Sequence, residues 1–281
     1  MAKTHLLAAC LAASLSACSL TSTLNLASGG GATREARNIP YGSLDRQTYD
    51  LYPAEDPSAP VVVFVYGGSW QRGEKSQYAF VANELNDQGF TVVVPDYRLF
   101  PAVRFPLFVR DVAKAVAKAR REVAGGRPVL LMGHSAGAEI AALVAYDPSY
   151  LRAEGLEVCR SVSGFVGLAG PYDFLPLTDP NLRQVFPPAV RARSQPIAYA
   201  TGPAPPSLLL HGTDDDLVEP DNTTRMAAAL KRAGNRVEGG ILSDVNHYDI
   251  IGAFGPLLSK LAPVREPVMR FLQARAGRRG C

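Results

Sequence analysis

The chain has 281 residues, of which 47% are hydrophobic and 20% charged, so it has ample length for one large globular core. Its formal net charge of +3 is too small to point to nucleic acid as a partner. The 4 cysteines and 4 histidines show no zinc-ligand spacing, and no Gly-rich phosphate loop is present, so neither a metal nor a cofactor is expected.

In chain order, the N-terminus is different in kind from the rest. Lys3 and His5 precede an apolar run, Leu6 to Leu15, that is too short to span a membrane. Small residues then lead to a cysteine, as in a secretory signal. Leu15-Ser16-Ala17-Cys18 resembles the lipobox of bacterial lipoproteins. That resemblance implies a signal peptide over 1–17, cleavage before Cys18 and acylation of Cys18, which would anchor the protein to a membrane. Ser19 in the next position implies the outer membrane of a Gram-negative host. A plain signal peptide cut after Ala17 is the alternative. Residues 18–36 are rich in Ser, Thr, Asn, Ala and Gly and read as a flexible tether.

The folded domain is expected over 37–275. Gln47 to Tyr52 alternates loosely and reads as an early strand. Val61 to Tyr66, Thr91 to Pro95, Val129 to Met132, Ser163 to Leu168, Ser207 to Leu210 and Arg236 to Leu242 are further strand-like runs. Helical patterns lie between them at Tyr78 to Gln88, Phe105 to Val123, Ala136 to Tyr146, Asp221 to Ala233 (with Asp221 as N-cap) and Pro267 to Arg275. Strands alternating with helices predict an α/β fold with a mostly parallel sheet covered on both faces. The Pro-rich stretch from Tyr172 to Pro206 breaks this rhythm and reads as an irregular, cap-like insertion above the sheet edge. Residues 276–281 form a basic tail, read as a frayed, solvated end. Cys159 is expected to be buried and Cys281 to carry a free thiol; pairing of the two in an oxidising compartment is the alternative.

The chemistry concentrates where a strand-like run ends in Gly133-His134-Ser135-Ala136-Gly137 and a helix follows. A serine on so sharp a turn is exposed as a nucleophile, and its neighbours two positions away must lack bulk. A serine hydroxyl needs a base, and the base needs a carboxylate. His5 belongs to the signal. His134 sits inside the turn, its ring expected to point away from the nucleophile, and His211 is expected to pack locally. His247 remains as the base. The acid should lie between serine and histidine in sequence, where Asp214, Asp215 and Asp216 follow a strand. Two backbone amides must receive the oxyanion. Ala136, directly after the serine, supplies one, and the Tyr66-Gly67-Gly68-Ser69-Trp70 loop supplies the other through the N–H groups of Gly68 and Ser69.

Together, Tyr66-Gly67-Gly68-Ser69-Trp70, Asp96-Tyr97-Arg98-Leu99, Phe105-Pro106, Asp111, Gly133-His134-Ser135-Ala136-Gly137, His211-Gly212 and Asn246-His247 resemble the α/β-hydrolase superfamily. Within it they are similar to bacterial carboxylesterases with an H-G-G-x-W loop, a group related to kynurenine formamidases and hormone-sensitive-lipase-like esterases. The resemblance selects Asp215 as the acid, with Asp216 as runner-up and Asp214 as a turn residue. It implies a small-molecule ester substrate and an acyl-enzyme on Ser135; the absence of a large apolar lid sequence points to short acyl groups. An amidase, formamidase or aminopeptidase-like activity on the same residues is the second expectation, and a non-catalytic surface binding protein the third. Tyr66 stands where the family has a loop histidine, and its hydroxyl is expected to take over that histidine's bracing hydrogen bond. Asp96 and Arg98 are expected to make structural contacts.

Overall fold

The computed structural model describes residues 36–256, 258–260 and 262–281. The expected signal peptide, Cys18 and all of the expected tether except Ala36 lie outside the described residues. Among the described residues no helix is long and apolar enough to cross a membrane.

Eight strands form one sheet: β1 (Ala36–Pro40), β2 (Thr48–Tyr52), β3 (Val61–Val65), β4 (Thr91–Pro95), β5 (Val129–His134), β6 (Val162–Leu168), β7 (Ser207–Gly212) and β8 (Val237–Leu242). Their order is β1-β2-β4-β3-β5-β6-β7-β8. The pairs β1–β2 and β2–β4 are antiparallel, and the others are parallel. Strands β3, β4 and β5 are buried along their whole length, as runs of Val, Leu and Phe require when helices cover both faces.

The helices are α1 (Ala79–Asp87), α2 (Leu107–Lys118), α3 (Ala136–Tyr146), α4 (Pro148–Ala153), α5 (Val158–Ser161), α6 (Pro180–Val185), α7 (Pro188–Arg191), α8 (Asp221–Arg232), α9 (Asp249–Gly252) and α10 (Arg265–Arg275). Helix α3 matches its sequence reading at both ends, and every one of its residues is buried. The expected N-cap of α8 is corrected. Asp221 is the first helical residue, Pro220 precedes it, and no side chain caps the end.

The stretch from Tyr172 to Pro206 is not irregular throughout. It carries α6 and α7, and side-chain and backbone bonds pin it to the body. Arg225 of α8 donates to Asp173 at 2.8 Å, and Phe105 N donates to Val185 O at 3.0 Å.

The reading of the C-terminus is also corrected. Cys159 and Cys281 form a disulfide across 122 residues of sequence. Gly280 is buried, and its N–H donates to Cys159 O at 2.9 Å. A Cβ on Gly280 would lie 2.1 Å from Val162 O, so only glycine admits this approach. The tail is therefore docked on the start of β6 and is not frayed.

A cross-link over so long a loop stabilises chiefly by restricting the unfolded chain. Cys281→Ser should cost about 2–4 kcal/mol, seen as a melting temperature lower by about 5–10 °C for a chain of this size. Thermal melts of both proteins without reductant test this; equal midpoints would contradict it.

Candidate active site

Each reactive side chain stands at the carboxyl edge of the sheet, where the crossovers of an open α/β fold leave a crevice. Ser135 follows β5 directly. Its backbone lies in the left-handed region, φ 55° and ψ −128°, a strained conformation for a residue with a Cβ. The strain is imposed by close packing on both sides. A Cβ on Gly133 would lie 2.5 Å from Gly137 O, and one on Gly137 would lie 2.2 Å from Val65 O. The two flanking glycines thus let α3 pack directly over β3 and β5. Ser135 N also donates to Leu168 O of β6 at 2.9 Å.

His247 follows β8 and Asp215 follows β7. The two loops are laced together: Thr213 N donates to Leu242 O at 2.8 Å, and Asp214 N to Val245 O at 3.0 Å. A Cβ on Gly212 would sit 1.8 Å from Val245 O, which explains the glycine there. His247 Nε2 lies 2.9 Å from Ser135 Oγ, and His247 Nδ1 lies 2.7 Å from Asp215 Oδ2. Ser135 is half-buried, whereas His247 and Asp215 are buried. Of the three adjacent aspartates, only Asp215 meets the histidine.

Asp215 is held on all sides. Its Oδ1 accepts from Leu217 N at 3.0 Å and Val218 N at 2.9 Å, and its Oδ2 also accepts from His211 Nε2 at 2.9 Å. Burial alone would favour the neutral acid, but the bonds from His211, His247 and Val218 outweigh it and hold the carboxyl well below the usual carboxylate range. Asp215 is therefore ionised at neutral pH.

His211 bonds locally, as expected: to Thr223 Oγ1 at 2.9 Å, to Val218 O at 2.8 Å and to Asp215 Oδ2 at 2.9 Å, the same oxygen that His247 meets. The Nε2 of His134 is 3.1 Å from His247 O, and its ring lies 4.9 Å from that of His247. The contact of His211 with Asp215 has a readable signal, a histidine four residues before the aspartate. That of His134 with His247 has none, because nothing in the turn's sequence says which way its side chain faces.

The loop after β3 lies against the serine, with a Cβ on Gly67 placed 2.9 Å from Ser135 Cβ. Gly68, Ser69 and Trp70 have φ of 138°, 53° and 61°. Among the described residues the amides of Gly68, Ser69 and Ala136 make no backbone hydrogen bond. Ala136 begins α3, so its N–H has no partner within the helix. Tyr66 braces this loop from below: its hydroxyl donates to Asp96 Oδ1 at 2.7 Å and accepts from Arg46 Nη2 at 2.8 Å. Its ring stacks on Tyr97 and Tyr78. Asp96 also receives Lys75 Nζ at 3.2 Å, and Arg98 forms a two-point pair with Asp111. Both are structural contacts, as read from the sequence.

Phe174 and Phe186 of the 172–206 stretch pack on Trp70 at 5.8 Å and 4.8 Å. The stretch thus borders the site. Among the described residues no group of His, Cys, Asp and Glu could hold a metal ion.

Residues 49–230 match the model of the BD-FAE family. The chain belongs to that family. It is 30% identical over 243 residues to a probable isoprenylcysteine alpha-carbonyl methylesterase, ICMEL1, of Arabidopsis thaliana, covering 76% of this chain and 51% of that protein. It is 32% identical over 233 residues to esterase LipC of Mycobacterium tuberculosis, covering 73% of this chain and 57% of the other. The chain thus spans little more than half the length of these two relatives. A kynurenine formamidase of Danio rerio is 25% identical over 228 residues, covering 78% of this chain and 76% of that one. Among solved structures, an archaeal esterase from Pyrobaculum calidifontis superposes with a TM-score of 0.73 at 24% identity over 92% of this chain and 90% of that one. Esterase B of Lactobacillus rhamnosis gives 0.76 at 17% identity over 98% and 96%. The fold is the α/β-hydrolase fold.

His134 carries a pH signature of its own. Burial, with the neighbouring His247, pushes it down to about 3 from an ordinary 6.5, so it is neutral in the folded protein. The unfolded chain binds its proton below about 6.5, and between there and about 3 stability falls as pH falls. Each pH unit inside that window costs about 1.4 kcal/mol from this residue. His134→Gln removes the titration and keeps a donor for His247 O. Urea denaturation from pH 7 to pH 4.5 should show a shallower loss for the variant; parallel curves would contradict the assignment.

Proposed function

We propose that this protein is a serine carboxylesterase that cleaves short-chain carboxylic esters through an acyl-enzyme. The observation that carries the reading is the continuous Ser135–His247–Asp215 hydrogen-bond chain beside unspent amides at Gly68, Ser69 and Ala136. Esterases among the relatives support the ester as the bond cleaved.

Ser135 Oγ attacks the ester carbonyl while His247 Nε2 takes its proton. Asp215 accepts from Nδ1–H, fixes the tautomer and steadies the imidazolium. The carbonyl oxygen becomes an oxyanion within reach of the Ala136 amide and those of Gly68 and Ser69, each donor being worth about 2.7–4 kcal/mol in such sites. His247 then protonates the departing alkoxide, and an alcohol leaves. Water enters, gives a proton to His247 and attacks the acyl-enzyme. Collapse of the second tetrahedral intermediate frees the acid and restores Ser135 Oγ–H. Trp70 of the oxyanion loop packs with Phe174 and Phe186, and short acyl groups are the expected substrates because the sequence carries no large apolar lid.

The same residues would cleave an amide if the site protonated a nitrogen leaving group. The formamidase relative favours this second reading. Export and anchoring through an acylated Cys18 complete the proposal, and the Cys159–Cys281 disulfide supports an oxidising compartment.

A soluble form beginning at Ser19 should turn over p-nitrophenyl acetate and butyrate faster than octanoate. In Ser135→Ala, kcat should fall by about 10⁴-fold or more with the fold intact. Retained turnover in the purified variant would sink the serine assignment. Faster cleavage of N-formylkynurenine than of any of these esters would move the reading to an amidase.

A further inference from the structure

Helix α3 is apolar except at one charged residue. Glu139, one turn after Ser135, is fully buried. Its Oε2 accepts a hydrogen bond from Trp70 Nε1–H at 3.0 Å, and its Oε1 has no partner among the described residues. An acidic side chain so placed is costly, and Ala or Leu would suit the surroundings better. The esterase chemistry described above makes no use of it.

What the carboxyl touches is informative. Trp70 lies inside the turn that Gln71 N and Arg72 N close on Gly68 O, and both Ser69 and Trp70 lie in the left-handed region. Two adjacent residues with side chains in that region cost about 1–2 kcal/mol each, and such a turn persists only where its surroundings impose it. Three contacts impose it here. Phe100 N donates to Trp70 O at 2.9 Å, which fixes the main chain. Phe174 and Phe186 pack against the indole, which fills the space around the ring but gives it no directional partner. The Glu139 bond alone fixes the direction of the indole N–H.

We propose that Glu139 is a positioning residue for the oxyanion loop: through Trp70 it holds the left-handed turn that presents the Gly68 and Ser69 amides to the substrate carbonyl. The inference rests on the esterase reading above. Side chains on a helix lean toward its N-terminus, so the carboxyl at position 139 reaches back over the turn that carries Ser135 and Ala136. Burial drives Glu139 well above the ordinary carboxylate range, and the Trp70 bond opposes this only in part. The phenols of Tyr97, after β4, and Tyr150, on α4, interact with it electrostatically, and burial raises both. Burial thus favours the neutral form of Glu139, whose Oε2 accepts from the indole.

The test uses steady-state hydrolysis of p-nitrophenyl butyrate, with folding of each variant checked by circular dichroism and thermal melting. Glu139→Leu should lower kcat about tenfold or more with KM within about twofold, the pattern of an interaction realised in the transition state. Glu139→Gln offers the same oxygen to the indole and should stay within about threefold of the parent in kcat. Trp70→Phe should reproduce the Glu139→Leu loss, and the double variant should be no slower than the slower single one, because both remove one shared contact. Should Glu139→Leu fail to fold, Trp70→Phe beside Glu139→Gln gives the same comparison. The inference is overturned if folded Glu139→Leu keeps kcat within about twofold, if its loss lies in KM alone, or if Glu139→Gln is as impaired as Glu139→Leu. An active Ser135→Ala removes the esterase reading itself. An inactive Ser135→Ala beside an unimpaired Glu139→Leu removes only the role of Glu139.

Discussion

The contact on which the site depends is the approach of α3 to β3 at Gly137, where a side chain would meet Val65 O within 2.2 Å. A helix this close to the sheet must leave β5 through a very short turn. Ser135 occupies that turn and takes on its strain. The same approach puts the first amides of α3 beside the loop that ends β3, because both elements share one edge of the sheet. Exposure of the serine, the free amide of Ala136 and the nearness of Gly67 to Ser135 all follow from that one packing distance. Most of α3 is alanine and glycine for the same reason, since larger side chains would lift it off the sheet.

Around this apolar contact the fold buries several carboxyl groups, and each is handled differently. Asp215 receives two imidazoles and two backbone amides and stays ionised. Asp96 is met by Lys75, Arg46 and a tyrosine hydroxyl. Asp111 is gripped by Arg98. Glu139 has only an indole N–H for company. The first three show the usual rule that a buried charge is paired and fully hydrogen-bonded. The fourth lacks such partners among the described residues, and burial favours its neutral form.

The sheet was legible because its strands are dense in β-branched residues, and α3 was legible because a Gly-x-Ser-x-Gly turn and a run of small residues fix its ends. Edges were harder. The strand Ala36–Pro40 has almost no buried residue and no apolar alternation, so its sequence looks like the tether before it. The docking of the C-terminus depends on a partner 122 residues away, and nothing local in Arg278, Arg279 or Gly280 announces it. At the site, chain order and elimination led to Ser135 and His247, while Asp215 stood out from its two neighbours only through a family resemblance. The geometry explains why: one aspartate in three faces the histidine, and that depends on a turn whose shape lies in backbone bonds. Glu139 was legible in principle as a lone acid in an apolar helix. Its meaning needed the position of Trp70, which lies 69 residues earlier in the chain.

The first strand has a consequence for how the molecule can be held. Pro40 pairs with Thr48 and Ala36 with Leu51, while β2 runs antiparallel to β4, with Tyr49 opposite Pro95. Pro40 therefore lies toward the rim that carries Ser135, and Ala36 lies toward the opposite rim. Ala36 itself thus marks an attachment point at the rear of the sheet. A bead, a sensor surface or a fused carrier attached there would leave the mouth of the site facing open solution, so orientation on a support is already built into the strand order.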